Sequence, residues 1–584
     1  MSKNHLIWLA LSGIAICSIW QAFVGISYTL SMSWDAFGYY YYLPLTFIED
    51  SLIITSLDDI RPIFEKYDPS STLYQFSVTD SGNIIIRYPA GQALLYLPFF
   101  LIGHLAALVL GYPIDGFSEP YDFAIRAGGV VYNILGFYFI SKILRHKYDG
   151  LTVALTIAII YFGTNALLNL YALSAHGSLI FLLAVLFYYT NKYFEFQTFR
   201  YSIIVALAFG LVCLTRPTDF IAILPLVFWP WIMGGNLKNT WQSIFRKHRS
   251  HLITGTLIVF CVGLIQFGYW KHVGGSWIIN SYDNPAEGLD LLSPHTIPFL
   301  FSFKTGWFIY TPLMFLVVSY LLFRLFKGDK AMIPIALYLA VFIYLASAWT
   351  NYWYGAAFSQ RAMIQTYVIL SLVLAALIND LRNHSSDIRR LSSSILIGLL
   401  VLLNLWQSAQ YVKNVFTGNT MTKEYYFAAF FDFTPDSSKS HLLALDRTGF
   451  QLNPIREIPE GYKLIGTYKY PLKEGENLKD VEFAGEMKLE YEKFCPRDHC
   501  WLHFTVETED SLKEELLLVA HFQNSSGNYY YRAFDMADNG FSLDRWLITP
   551  HVRNESDTLK TYFWNRSKSE VEITQARLMV YAPE

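Results

Sequence analysis

The sequence predicts a polytopic α-helical membrane protein that closes with a β-rich polar domain. Three observations carry this. The 584 residues are 53% hydrophobic and 17% aromatic but only 16% charged, against roughly 25% charged in average soluble domains. Apolar runs of the length a bilayer demands, about 20 residues, recur from the amino terminus to about residue 411. Beyond that point the composition turns polar, and apolar residues alternate with the period of two that marks half-buried strands.

The amino terminus carries Lys3 and then apolar residues from about Leu6 to Leu30. That run is too long for a signal-peptide core and has no clear small-x-small cleavage site, so it reads as an uncleaved first span starting inside. Further spans are expected at roughly 124–142, 151–166, 175–190, 201–215, 218–234, 252–270, 306–325, 331–349, 362–380 and 391–411, about eleven in all. Basic clusters orient them, because cytoplasmic loops are enriched in Lys and Arg. Lys142, Arg145 and Lys147 mark one inside loop and Lys192 and Arg200 a second. Lys238, Arg246, Lys247 and Arg249 mark a third, Arg324, Lys327 and Lys330 a fourth, and Arg382, Arg389 and Arg390 a fifth. The stretch Ala93 to Gly111 is apolar enough to cross, yet a crossing there would invert every later loop. It is therefore expected to lie in, or dip into, the outer interface. The carboxyl tail then falls outside.

In the tail, alternating runs at 462–470, 481–490, 502–506, 515–522, 559–564 and 571–581 read as strands of an antiparallel sandwich. The expected organisation is a membrane domain over 1–412, a linker over 413–450 and a β-rich extracytoplasmic domain over 451–584. Cys495 and Cys500 lie close together in that tail, where a disulfide would require an oxidising compartment. A net charge of −3 makes no case for nucleic acid. No Walker-type phosphate loop and no HExxH zinc motif occurs; the sequence neither requires a divalent metal nor rules one out.

Chemistry is expected where the first span ends, in Ser33-Trp34-Asp35-Ala36-Phe37-Gly38-Tyr39-Tyr40-Tyr41-Tyr42. An acid at a bilayer edge is costly unless solvated or paired. Asp35 reads either as a solvated helix terminator or as a general base facing an outer cavity. Glu49, Asp50, Asp58 and Asp59 follow in a looser loop. Later outer stretches carry Arg87 and Tyr88, His176, Arg216, Lys304, Trp353 and Tyr354, and Arg361. Singly, each suits snorkelling or an aromatic belt. Together, one acid, several cations and aromatic faces suit a lipid-linked phosphosugar. The cations would neutralise a phosphate leaving group, the acid would take a proton from an attacking hydroxyl, and the aromatics would stack on a sugar ring.

Residues 1 to about 411 resemble the GT-C glycosyltransferases, in particular bacterial members akin to protein O-mannosyltransferases and the aminoarabinose transferases of lipid A. The resemblance rests on Asp35 with Tyr39 and Tyr40 after the first span, on Tyr88-Pro89-Ala90-Gly91, and on Leu214-Thr215-Arg216-Pro217. It rests also on Phe303-Lys304-Thr305-Gly306-Trp307 with Thr311-Pro312, and on Trp353-Tyr354-Gly355 leading to Arg361. It implies a polyprenyl- or dolichyl-phosphate sugar donor, transfer outside the cytoplasm, and Asp35 as the base. Tyr39, Tyr40, Arg87, Tyr88, His176, Arg216, Lys304, Trp353, Tyr354 and Arg361 would bind substrate. The chain departs from the family at Ala36, where a second acid often stands, at Ala357 and Gln360, and at His176. The expected function is transfer of sugar from a polyprenyl phosphate to an extracytoplasmic glycan, lipid or protein, in what would be a bacterial inner membrane. A transporter or flippase of lipid-linked sugars is the alternative; transporters tend to carry internal repeats, and none is found.

Overall fold

The structure is a computed structural model. It describes residues 3–25, 31–56, 59–70, 74–79, 81–170, 175–282, 288–355, 357–436, 439, 442–443, 461–473, 475–495, 500–508, 516–524, 527–535, 542–549, 557–565, 568 and 570–583. The chain divides into two compact units. One gathers Met1–Asp59, Gln75–Asp283 and Leu289–Leu443, the other Ile60–Tyr74, Asn284–Gly288 and Ala444–Glu584.

The first unit is helical. Its main helices are α1 (Lys3–Trp20), α2 (Asp35–Tyr40), α3 (Gly91–Leu110), α4 (Glu119–Leu144), α5 (Gly150–Phe162), α6 (Ala175–Phe196), α7 (Phe199–Thr215), α8 (Leu237–Lys247), α9 (Arg249–Gly274), α10 (Pro312–Phe326), α11 (Met332–Ser347), α12 (Tyr367–Arg382) and α13 (Asp387–Val412). A small hairpin of β1 (Phe76–Val78) and β2 (Ile84–Ile86) precedes α3. Among the described residues six helical stretches are long and apolar enough to cross a membrane, and five more are apolar but shorter; this is an integral membrane protein. The most enclosed is α12, where every residue from Tyr367 to Ile378 is buried. A helix apolar on all sides belongs in the middle of a bundle.

The basic loops gather at one end of these helices. Arg382 donates to Asp149 at 2.8 Å, joining the end of α12 to the start of α5. Arg324 reaches Asp380 at 3.1 Å and Lys147 reaches the Ile232 carbonyl at 2.5 Å. Gln197, just past α6, accepts from Ser243 of α8, and Lys238 and Lys330 line one cavity of about 780 Å³. The opposite ends of α6, α7 and α12 carry His176, Arg216 and Arg361. A 22-residue helix such as α6 is about 33 Å long, so the two groups of charges are a membrane's thickness apart.

The apolar helix α3 packs against α4 and α7. It lies antiparallel to the first half of α4. The Tyr132 hydroxyl donates to the Leu95 carbonyl at 2.7 Å, and Gly103 abuts the Tyr121 backbone. Its first turn meets the far end of α7, where a Cβ on Gly91 would stand 2.4 Å from the Thr215 nitrogen. Leu101, Ile102, Leu105 and Val109 are exposed on α3.

Two expected spans are broken. Residues 218–234 form a 3-10 turn and two short helices; Pro225 and Pro230 lack the N–H an unbroken helix needs. In 306–325, Pro312 divides a single turn, Trp307–Tyr310, from α10. Residues 413–436, expected as linker, pack on the helical unit. Tyr425, Tyr426 and Phe416 form one apolar cluster with Tyr310, and Gln410 of α13 donates to the carbonyls of Ala429 and Phe430.

The second unit is a β-sandwich. The strands are β3 (Tyr462–Lys469), β4 (Glu476–Asn477), β5 (Phe483–Glu490), β6 (Trp501–Thr508), β7 (Leu516–Asn524), β8 (Gly527–Asp535), β9 (Ser542–Ile548), β10 (Thr558–Asn565) and β11 (Glu572–Pro583). Their pairings are antiparallel. One sheet runs β5-β10-β7-β8 and the other β3-β11-β6-β9, with β4 on β11. Alternate residues of β6 and β10 (Leu502, Phe504 and Val506; Leu559 and Phe563) turn inward and meet Leu518, Phe522, Leu578 and Val580. Strands β8 and β9 escape the sequence pattern because aromatic and charged residues break their alternation. Cys495 and Cys500 are bridged.

Candidate active site

The residues singled out in the sequence come from six segments, and most of them meet at the end of the helical unit opposite the basic loops. Asp35 opens α2. Its Oδ2 accepts from Arg361 Nη2 at 2.8 Å and its Oδ1 from the Tyr88 hydroxyl at 2.8 Å. The pair is about one-third exposed, at 34% for Asp35 and 31% for Arg361. An ion pair this accessible is worth about 0–1 kcal/mol, so a bound anion that offers Arg361 a better partner displaces the carboxylate at little cost.

Strained backbone flanks both partners. Trp34, directly before Asp35, has φ +54°, and its carbonyl accepts from Gln75 at 3.1 Å. Tyr354 and Ser359, before Arg361, have φ +52° and +59°. Non-glycine residues with positive φ cost roughly 1–3 kcal/mol each and persist where surrounding structure imposes them, often at active sites.

Gly38 makes room for Tyr88, whose ring lies 4.4 Å from that of Tyr39. Burial pushes the Tyr39 phenol up to about 12; Arg216 opposes that rise and Asp35 adds to it. Tyr39 is therefore a neutral hydroxyl beside the acid at any physiological pH. Tyr40, expected to bind substrate, does not face this space. It is wholly buried, packs on Tyr96, Phe100 and Phe117, and donates to the Gly116 carbonyl. One step along a helix turns a side chain by about 100°, which sends Tyr40 into the core when Tyr39 meets Tyr88.

Arg216 ends α7. The residue before a proline is driven into extended backbone, and Pro217 imposes that here, with φ −148° and ψ 105° at Arg216. The guanidinium lies 5.6 Å from the Tyr354 ring and 3.9 Å from Asp219. His176, in the first turn of α6, contacts Gln365 at 2.9 Å and Arg216 at 3.4 Å through Nδ1. Lys304 Nζ stands 3.5 Å from the centre of the Trp353 ring. Arg87 is buried and lies over Tyr282, which meets Tyr88 edge-on; it borders the cluster through that ring.

The other first-loop acids are placed differently. Glu49 accepts from Tyr41 at 3.4 Å, and burial raises its carboxyl above the usual range. Asp59 is exposed and accepts from the Ser56 and Thr55 amides, which lower its carboxyl. Asp50 is exposed, and Asp58 lies outside the described residues. Four neighbours in the site were not anticipated: Asp219, Gln365, Tyr282 and Gln75. Asp219 carried a readable signal, since an ionisable residue inside an apolar run is a functional candidate by default. Among the described residues no group of three or more His, Cys, Asp or Glu is arranged to hold a metal ion.

No family model matches the chain, and no curated protein matches it in sequence. Solved structures that it is similar to include the oligosaccharyltransferase AglB from Archaeoglobus fulgidus with an inhibitory peptide and a dolichol-phosphate, at 11% identity and TM-score 0.45 over 73% of this chain. ArnT from Cupriavidus metallidurans bound to undecaprenyl phosphate matches at 11% identity and TM-score 0.43 over 72% of this chain. The arabinosyltransferase EmbB from Mycobacterium smegmatis matches at 12% identity and TM-score 0.27 over 84%. The chain spans 57%, 68% and 64% of those three chains, respectively.

Proposed function

We propose that the protein transfers a sugar from a polyprenyl-phosphate donor to a hydroxyl-bearing acceptor outside the cytoplasm, with Asp35 as general base. The observation that carries this reading is the Asp35 carboxylate held between Arg361 and Tyr88 at 2.8 Å each, in a cluster that holds further cations. Arg361, Arg216 and Lys304 outnumber the acids Asp35 and Asp219, an excess that suits a phosphate.

On this reading the donor phosphate takes Arg361 from Asp35 through charge-assisted hydrogen bonds. The freed carboxylate accepts the proton of the acceptor hydroxyl as its oxygen bonds to the anomeric carbon. The bond from that carbon to the phosphate oxygen breaks, and polyprenyl phosphate leaves with its new charge against Arg361, Arg216 and Lys304. Half-buried Tyr39 offers its ring to the sugar, while Trp353, buried beneath Lys304, holds that cation rather than the sugar. No step above depends on a divalent metal.

The test is transfer of labelled sugar from a purified polyprenyl-phosphate donor by Asp35→Asn. The isosteric amide keeps the shape and loses the basic lone pair. Loss of a positioned base costs roughly 10²–10⁴-fold in rate, while donor binding and thermal stability stay near wild type. Near-wild-type turnover sinks the assignment.

A further inference from the structure

Behind the two arginines lies a buried polar chain. Arg216 caps the 3-10 turn Pro217–Ala222, and Arg361 opens the 3-10 turn Arg361–Thr366. From the inner side of these turns Asp219 and Gln365 face each other. Asp219 is 0% and Gln365 1% exposed. Gln365 Nε2 donates to both carboxylate oxygens of Asp219, at 3.2 and 3.3 Å. Its Oε1 stands 2.9 Å from His176 Nδ1.

The chemistry of the groups fixes the direction of this chain. Asp219 faces the Arg216 guanidinium at 3.9 Å, a partner that favours its ionised form, and an ionised carboxylate only accepts, so the Gln365 amino group points at Asp219 and its carbonyl at His176. A carbonyl only accepts as well, so His176 Nδ1 carries the hydrogen. Nε2 keeps its lone pair, and no described residue hydrogen-bonds to it. Arg216 Nη1, 3.4 Å from the same Nδ1, then meets a donor and makes a contact without a hydrogen bond. A buried acid with an amide relay is an expensive arrangement unless its polarity is used.

We infer that Asp219 and Gln365 are positioning residues. They lock the turns that carry Arg216 and Arg361 to each other, and they hold His176 as an Nε2 acceptor for a hydroxyl of the donor's sugar. The locking follows from the contacts alone; the sugar hydroxyl rests on the reading of the site as a sugar transferase.

Three variants separate this from simple packing. In Asp219→Asn the new side-chain amide can present either end to Gln365, so the chain runs in both directions and His176 populates both tautomers. In Gln365→Glu two buried carboxylates oppose each other. In the double variant Asp219→Asn/Gln365→Glu the charge moves one link along. The amide at position 219 then donates to the carboxylate at position 365, and that carboxylate accepts from His176 Nδ1.

Two readouts are taken on detergent-purified full-length protein. ¹⁵N NMR of histidine-labelled protein, with the His176 signal identified by its loss in His176→Gln, reports the tautomer without any turnover. Transfer assays report kcat and KM for the donor. The wild type and the double variant show Nδ1–H with a bare Nε2; Asp219→Asn shows a mixture. Each single variant loses about tenfold or more in kcat/KM, as expected for a disrupted buried hydrogen bond to a charged group, and the double variant regains most of it. A wild-type Nε2–H tautomer, or a folded double variant no better than Gln365→Glu alone, overturns the inference. Absence of transfer by the wild type with the NMR pattern intact refutes the transferase reading and leaves the Asp219–Gln365–His176 chain standing.

Discussion

A methyl group on Gly38 would stand 2.5 Å from Cδ2 of Tyr88. The bare backbone of α2 is thus the seat on which the Tyr88 ring lies while its hydroxyl reaches Asp35. Gly38→Ala is expected to move that ring and cut transfer at least about tenfold, at a cost in stability of roughly 1–3 kcal/mol, the usual range for overpacking. Tyr88→Phe, which removes only the hydroxyl, loses transfer with little change in melting temperature. Wild-type rates in both variants, with thermal unfolding measured alongside, mean that Asp35 needs no help from Tyr88.

Lys304 and Trp353 act as one element. A cation 3.5 Å from an indole centre gains about 0.5–2 kcal/mol, more as water is excluded, and the ring fixes where the charge points. Lys304→Gln and Trp353→Leu are each expected to raise the donor KM several-fold with kcat less affected. The double variant falls short of the product of the two, as coupled neighbours do. Strict additivity in that cycle refutes the pairing.

Alkaline pH offers a separate check on Tyr39. A phenol ionises near pH ~10 in an unfolded chain and, here, at about 12 in the folded one. The folded state then holds the proton that the unfolded state releases. The stability this contributes is complete below about pH 10 and drains away as pH rises toward about 12. Tyr39→Phe should therefore lose less stability than wild type across that window, read from melting temperatures at stepped pH. Parallel curves for the two proteins contradict the burial of that hydroxyl.

The sidedness of the charges is checked by labelling. In a background lacking Cys17, Cys213 and Cys261, Ser51→Cys and Lys238→Cys place single thiols at exposed positions. Basic loops face the cytoplasm, so an impermeant reagent on intact cells should modify the thiol at 51 and spare the one at 238. A thiol near position 540 should label with 51. The reverse pattern inverts the topology and with it the compartment of the reaction.

Much of the candidate site was legible because ionisable residues at the ends of apolar runs announce themselves. Asp35, Arg216, Lys304 and Arg361 needed only their types and places in the sequence. The partnership of Asp219 with Gln365 did not show, because two short turns must first meet in space, and no local pattern encodes that meeting. Within the run Tyr39 to Tyr42, identical side chains leave the facing residue undetermined until α2 has a neighbour; Tyr39 met Tyr88, and Tyr40 went to Phe117 and the Gly116 carbonyl. The tail's strands were readable where apolar and polar residues alternate, as in β6 and β10, and hidden where Tyr529-Tyr530-Tyr531 in β8 obscures the period. Broken helices at 217–232 followed from prolines that a hydropathy average does not weigh.

Asp35 and Arg361 are 326 residues apart in the chain. A ribosome adding roughly 5–20 residues per second delivers the acid on the order of 15–65 seconds before its arginine. Throughout that interval the first loop must keep its carboxylate in water, since burying an unpaired charge is far costlier than the finished pair is stabilising. The site is thus among the last parts of the helical unit to be completed. A nascent chain halted between residues 88 and 361 carries an inserted start and an acid that has Tyr88 at hand but still lacks its arginine.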